Sequence, residues 1–242
     1  MDNLSQKDVD WLLDLHKKDR HRRRSQKGHP ELRKLFIWSL VIFFGIIGLM
    51  ILPFYLLVRT SIFLNLEYGY GGWISLGGGI VVSVLLLLTY LLFLFQKIKN
   101  RKKRFQFSLG GAGAMVFGFC LFSLFYLSSV NAKSDEIRNV YRSMHPILRV
   151  AISIVTLADS DLVITDIERV LSDYGAMGLP VNPHSLHYRQ DETGYVHAID
   201  LRTRGRTEIR NLLLQASLEM MGFQTLRHVG TADHLHVELM VR

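Results

Sequence analysis

Cysteine is nearly missing from this chain: one residue, Cys120, stands among 242, and it lies inside a long apolar run. An internal disulfide is therefore excluded, and so is a thiolate metal ligand in the polar C-terminal part. Charge is missing as well from Leu35–Val58, Trp73–Phe95 and Phe107–Val130, which hold no Asp, Glu, Lys or Arg. An ionisable side chain inside such a run marks an ion or proton path, so its absence argues against a channel or a pump. Lysine and arginine are also absent between Thr60 and Gly72.

Each apolar run is long enough to cross about 30 Å of hydrocarbon, a distance that takes roughly 20 helical residues. Together they account for a hydrophobic content of 49%, high for a soluble protein. The net charge of +8 gathers in Lys17–Arg24 and Lys97–Arg104, each beside an apolar run. That placement fits a topology signal and contact with anionic membrane lipids, and it argues against nucleic acid as a partner. With basic clusters before the first run and between the second and third, the positive-inside rule puts the N-terminus in the cytoplasm. The C-terminal part is then periplasmic or extracellular, on a multi-pass protein of the cytoplasmic membrane.

Three domains follow. Residues 1–34 form a cytoplasmic basic arm, in which Asp8–His16 has the spacing of an amphipathic helix lying on the leaflet. Residues 35–130 form a membrane domain with helices at about 35–58, 73–95 and 107–130. Residues 131–242 form an extracytoplasmic domain. The first apolar run begins too far from Met1 for an ordinary cleaved signal peptide, whereas Val130-Asn131-Ala132 has the small-x-small pattern of a processing site, so cleavage after Ala132 stays open. The glycines at 77–79 and 110–113 are expected to let helices approach closely.

Beyond Ser134 the pattern is mixed. Residues 135–158 predict helix, broken or begun at Pro146, and Asp161–Thr165 a short buried strand. Ile167–Tyr174 predicts a helical turn or two, followed by a Gly- and Pro-bearing loop to Ser185. Leu186–Arg189 and Tyr195–Arg202 read as strands around Thr193-Gly194, a hairpin. In that register His187 stands opposite Asp200, with Cβ atoms roughly 4.5–5.5 Å apart on one face, and His197 points to the other. Glu208–Met221 predicts an amphipathic helix ended by Gly222, with Leu212, Leu213, Ala216 and Met220 inward. Phe223–Leu226 and Leu235–Val241 predict closing strands, and His234, His236 and Glu238 share one face of the last. The expected fold is a three-helix transmembrane region plus a C-terminal α+β domain with a small antiparallel sheet carrying a metal site.

A hydrolytic zinc site needs three protein ligands and one position open to water. His187, Asp200 and His236 supply two imidazoles and a carboxylate, which leave a site with Zn2+ at a net charge of +1. At these residues the chain resembles the D-Ala-D-Ala metallopeptidase family, zinc peptidases related to lysostaphin-type and hedgehog-type domains. Ser185-Leu186-His187 is similar to the family's Ser-x-His, Ala198-Ile199-Asp200 to the end of its Gly-x-Ala-x-Asp, and Asp233-His234-Leu235-His236 to its Glu-x-x-His or His-x-His. Leu162–Thr165 followed by Arg169 is similar to its strand ending in an arginine. The resemblance covers about residues 144–242. Val196 replaces the family's glycine, Asp233 its glutamate, and the interval from His187 to Asp200 is longer.

The resemblance implies zinc held by His187, Asp200 and His236, with Arg169 polarising the scissile carbonyl, Ser185 and Arg169 contacting substrate, and Asp233 or His234 as general base. It implies a membrane-anchored zinc metallopeptidase of the D,D-carboxypeptidase or endopeptidase type, cutting amide bonds in peptidoglycan peptides of the cell wall. Two alternatives stand beside it: a module of the same fold that binds wall peptides without cutting them, and a scaffold whose spans are the working part.

Overall fold

The structure, a computed structural model, describes residues 11, 17, 30–176, 178, 180–230 and 233–240. Most of the amphipathic helix expected at Asp8–His16 lies outside the described residues. The chain divides into two compact units, Met1–Met50 and Ile51–Arg242.

Three helices are long and apolar enough to cross a membrane: α1 (Pro30–Tyr68), α2 (Gly72–Leu94) and α3 (Arg101–Phe125). Within the first unit, α1 exposes Phe36, Trp38, Phe43 and Phe44, as a lipid-facing helix does. Helix α1 also runs on past its apolar block, so the expected loop from Thr60 to Gly72 shrinks to Gly69–Gly71. The extra turns are held by packing in the second unit, where Ile62 is buried. The close approach expected of the glycines occurs at Gly79, where a Cβ would collide with the Leu57 carbonyl and Ser61 Oγ. Beside it, Ser83 Oγ donates to the Pro53 carbonyl at 2.6 Å, tying α2 to α1 inside the bundle.

After α3 the chain is tied directly into the C-terminal fold. Asn131 donates through Nδ2 to the carbonyls of Ser160 and Leu162 at 2.9 and 2.8 Å, and Lys133 N donates to Ile164 O. A short α4 (Asp135–Asn139) leads to α5 (Pro146–Ala158), where Pro146 sits in the first turn, at a position that needs no backbone donor. Nearly all of α5 is buried because it is packed on two sides. One side meets the spans through Leu76, Val116, Cys120 and Leu124; the other shares a core with Ile199, Leu201 and Val237 of the sheet. Arg149 of α5 donates to the Leu124 carbonyl at 2.7 Å, neutralising the C-terminal end of α3.

The sheet has four strands in the order β1-β2-β4-β3, all antiparallel: β1 (Ile164–Asp166), β2 (Ala198–Arg202), β3 (Gln224–His228) and β4 (His234–Glu238). Between β1 and β2 lies the short α6 (Leu171–Ala176), and between β2 and β3 lies α7 (Glu208–Met221). Thr207 caps the start of α7, and Gly222 ends it with φ of 109°, a left-handed value that favours glycine.

Two expectations are corrected here. The stretch before β2 forms no regular hairpin: only Arg189 and Val196 pair, and Leu186–Tyr188 is a turn, with the His187 carbonyl accepting from Arg169 N. Backbone donors from a neighbouring segment take the place of a strand ladder. In α7 the buried residues are Asn211, Leu214, Leu218 and Met221, whereas Leu212, Leu213 and Met220 are exposed and Ala216 is half-buried. The helix is apolar on two opposite sides, and the sheet took the other one.

Candidate metal centre

Strand parity builds the site. Asp200 of β2 pairs directly with His236 of β4, and on β4 the even-numbered His234, His236 and Glu238 face away from the core that holds Leu235 and Val237. His187 reaches the same point from its turn. His187 Nε2 lies 3.3 Å from His236 Nδ1 and 3.4 Å from Asp200 Oδ1, and His236 Nδ1 lies 2.8 Å from Asp200 Oδ1. Ligands about 2.05 Å from a tetrahedral zinc are spaced about 3.3 Å apart. Two edges match that spacing and the third, at 2.8 Å, is a hydrogen bond that a metal would replace, so these three residues could hold a metal ion.

The supporting bonds also suit a metal. His187 Nδ1 donates to the Ile167 carbonyl at 2.7 Å, which fixes the ring with Nε2 aimed at the centre. The Nε2 of His236 faces Glu238 Oε2 at 3.4 Å, fixing that ring from the far side. Asp200 is nearly fully buried. Burial opposes its ionisation, but hydrogen bonds from His187 and His236 and the Arg169 charge outweigh it and hold the carboxyl below the usual range. His236 moves the other way, raised because Asp200 and Glu238 outweigh the cost of burying its charged form.

Arg169 lines the pocket with Tyr174 at its flank, and it is already engaged: Nη2 donates to Asp200 Oδ2 at 2.6 Å and Nε donates to Asp166. Its bonds orient the Asp200 carboxylate. Ser185 lines the pocket too, its Oγ accepting from His187 N at 3.3 Å. His234 stands beside the triangle, Nε2 at 3.8 Å from Asp200 Oδ2. Asp233 stands apart. Its odd number turns it to the inner face, where it accepts from Thr203 Oγ1 at 2.6 Å and from Arg227 Nε at 2.9 Å, and these bonds hold its carboxyl low. His197 also lies elsewhere, packed on His145 with Thr193 at 2.8 Å.

The centre opens into a cavity of about 530 Å³ whose wall includes Tyr174, Asn182, His184, Gln224, Thr225 and His228. His228 was not legible as a site residue because β3 was expected to stop at Leu226. It pairs with His234 across the β3–β4 hairpin and stacks on it at 4.7 Å. Extending the Gln224–His228 alternation across the turn at Val229-Gly230 would have found it. Compared with known proteins, the chain matches no family model, no curated protein and no solved structure.

Proposed function

We propose that this chain is a membrane-anchored zinc-dependent peptidase that hydrolyses amide bonds in cell-wall peptides outside the cytoplasmic membrane. The observation that carries the reading is the triangle of His187 Nε2, Asp200 Oδ1 and His236 Nδ1, spaced for one tetrahedral ion at the floor of an open cavity. The outward placement rests on the basic clusters at Lys17–Arg24 and Lys97–Arg104. The second cluster opens α3, at the opposite end of that helix from the C-terminal fold.

A zinc ion held by His187, Asp200 and His236 would supply a water acidified to a pKa of about 7 and a Lewis acid for the scissile carbonyl. Hydrolysis then joins the water oxygen to the carbonyl carbon, and the displaced nitrogen takes up a proton. His234 is the side chain placed to carry that proton, with Nε2 beside the triangle on the cavity wall. Arg169 keeps Asp200 ionised and aimed. Asn182 and Gln224 offer amide groups to a peptide lying in the cavity.

The test uses the full chain in detergent, loaded with zinc and given purified peptidoglycan fragments. Released D-alanine or opened cross-links are expected, with the rate lost in His236→Ala. Intact fragments, or an unchanged rate in that variant, would sink the reading. The clamping of Asp233 and the commitment of Arg169 to Asp200 favour a second reading, a zinc-dependent receptor for the same peptides. Saturable, zinc-dependent binding without turnover would select it.

A further inference from the structure

Helix α7 is apolar on both sides, and only one side is covered. Leu214, Leu218 and Met221 enter the core, whereas Ile209, Leu212, Leu213 and Met220 are 72%, 66%, 62% and 65% exposed. At 100° per residue these four, with Ala216 among them, form one stripe opposite the buried side, and no charged residue interrupts it. A helix apolar on opposite sides needs cover on both.

What lies on the open side follows from the layers. Helices α5 and α7 share the inner face of the sheet: α7 reaches β3 there, with Thr225 Oγ1 donating to Glu219 and Arg227 facing Glu208 at 3.4 Å, and its Arg210 ion-pairs with Asp159, the C-cap of α5. The side of α5 turned away from the sheet rests on α2 and α3. The corresponding side of α7 is the stripe, which stays exposed among the described residues.

The height of α7 is fixed as well. A Cβ on Gly222, at its end, would collide with Arg59 Nη1 and come within 3.3 Å of Ile62 Cγ2. Arg59 is the first charged residue after the apolar run Leu35–Val58, so it stands where α1 leaves the hydrocarbon. The bond from Arg149 to the Leu124 carbonyl, at the end of α3, sets the neighbouring α5 at the same boundary.

We infer that α7 is an interfacial helix, and that its stripe of Ile209, Leu212, Leu213 and Met220 lies in the headgroup–acyl boundary of the bilayer that the three spans cross. Apolar faces of this kind sink about 5–10 Å into that boundary. The contact continues the lipid-facing surface of the spans and holds the sheet with its cavity turned away from the membrane. Lipid is thereby a partner of the C-terminal fold as well as of the spans.

The experiment places a fluorescent label at Leu212→Cys, Leu213→Cys and, as a reference, Glu192→Cys, each in the full chain with Cys120→Ala, reconstituted in nanodiscs. Ile209→Cys replaces any stripe variant that does not fold. Lipids carrying a nitroxide near the top of the acyl chain are expected to quench the stripe labels several-fold more than the Glu192 label, and aqueous iodide several-fold less. Stripe labels that respond to iodide as Glu192 does, without lipid quenching, overturn the inference. So does protection from both quenchers, which would mean that a second copy or another protein covers the stripe.

Discussion

His187 and His236 on the open face of the sheet, and His145 and His197 at the joint with α2, are ring pairs of similar spacing, 5.1 and 4.7 Å. Their chemistry is opposite. At the open face Asp200 stands between the rings, each ring has a hydrogen-bonded outer nitrogen, and His236 is drawn toward its charged form. At the joint the two rings hydrogen-bond to no carboxylate, their Nδ1 atoms find no partner among the described residues, and the Gly72 backbone abuts His145. Burial first, then the charges of His197 and Arg149, lower His145 to about 3. Histidine proximity alone makes a packing pair. An ionised carboxylate, fixed outer nitrogens and an opening to solvent make a group that could hold a metal ion.

The largest way to break this contrast is at His234. His234→Ala is expected to lower kcat by about 10²- to 10⁴-fold, the usual contribution of a general acid–base, while zinc content stays at the wild-type level. Equal losses of zinc and rate would make it a structural residue instead. Arg169→Ala should weaken zinc binding by about 10- to 100-fold, because it removes the bond that holds Asp200, and Arg169→Lys should recover part of that loss. Competition against a calibrated chelator reads both.

The joint gives a pH effect of opposite logic. In the folded chain His145 stays neutral down to about pH 3, while in the unfolded chain it takes up a proton below its ordinary value of 6.5. The unfolded state binds more protons across that window, so stability falls as pH drops from 6.5 toward 3. At pH 5 the loss from this group is about 2 kcal/mol, from ~1.5 pH units at ~1.36 kcal/mol each. Thermal unfolding at pH 7 and pH 5 should show it, and His145→Gln should shrink the difference. The smallest expected effect is at Asp233, where Asp233→Asn should leave kcat/KM within about a factor of five. A loss of 100-fold would move the general base back to this residue.

The sequence was informative wherever spacing alone carried the signal. Three uncharged runs mark the three long helices, and the shared face of His234, His236 and Glu238 follows from strand alternation in β4. What it hid were choices between equivalent patterns. The apolar spacing of Glu208–Met221 fits two helix faces, and packing selected Leu214 and Leu218 over Leu212 and Leu213. Asp233 sits three residues before His236, an interval that on a strand reverses the side, so a role drawn from motif order alone sends it to the wrong face. His187 arrives by a turn held on the backbone of Ile167 and Arg169, a long-range arrangement that local propensity cannot encode.

The most direct test of the central contrast is zinc stoichiometry in the full chain, measured by elemental analysis of purified wild type, His187→Ala and His197→Ala. The contrast predicts one zinc per wild-type chain, none in His187→Ala and one in His197→Ala. Absence of zinc from wild type after loading, or its loss on removing His197 and not His187, would contradict it.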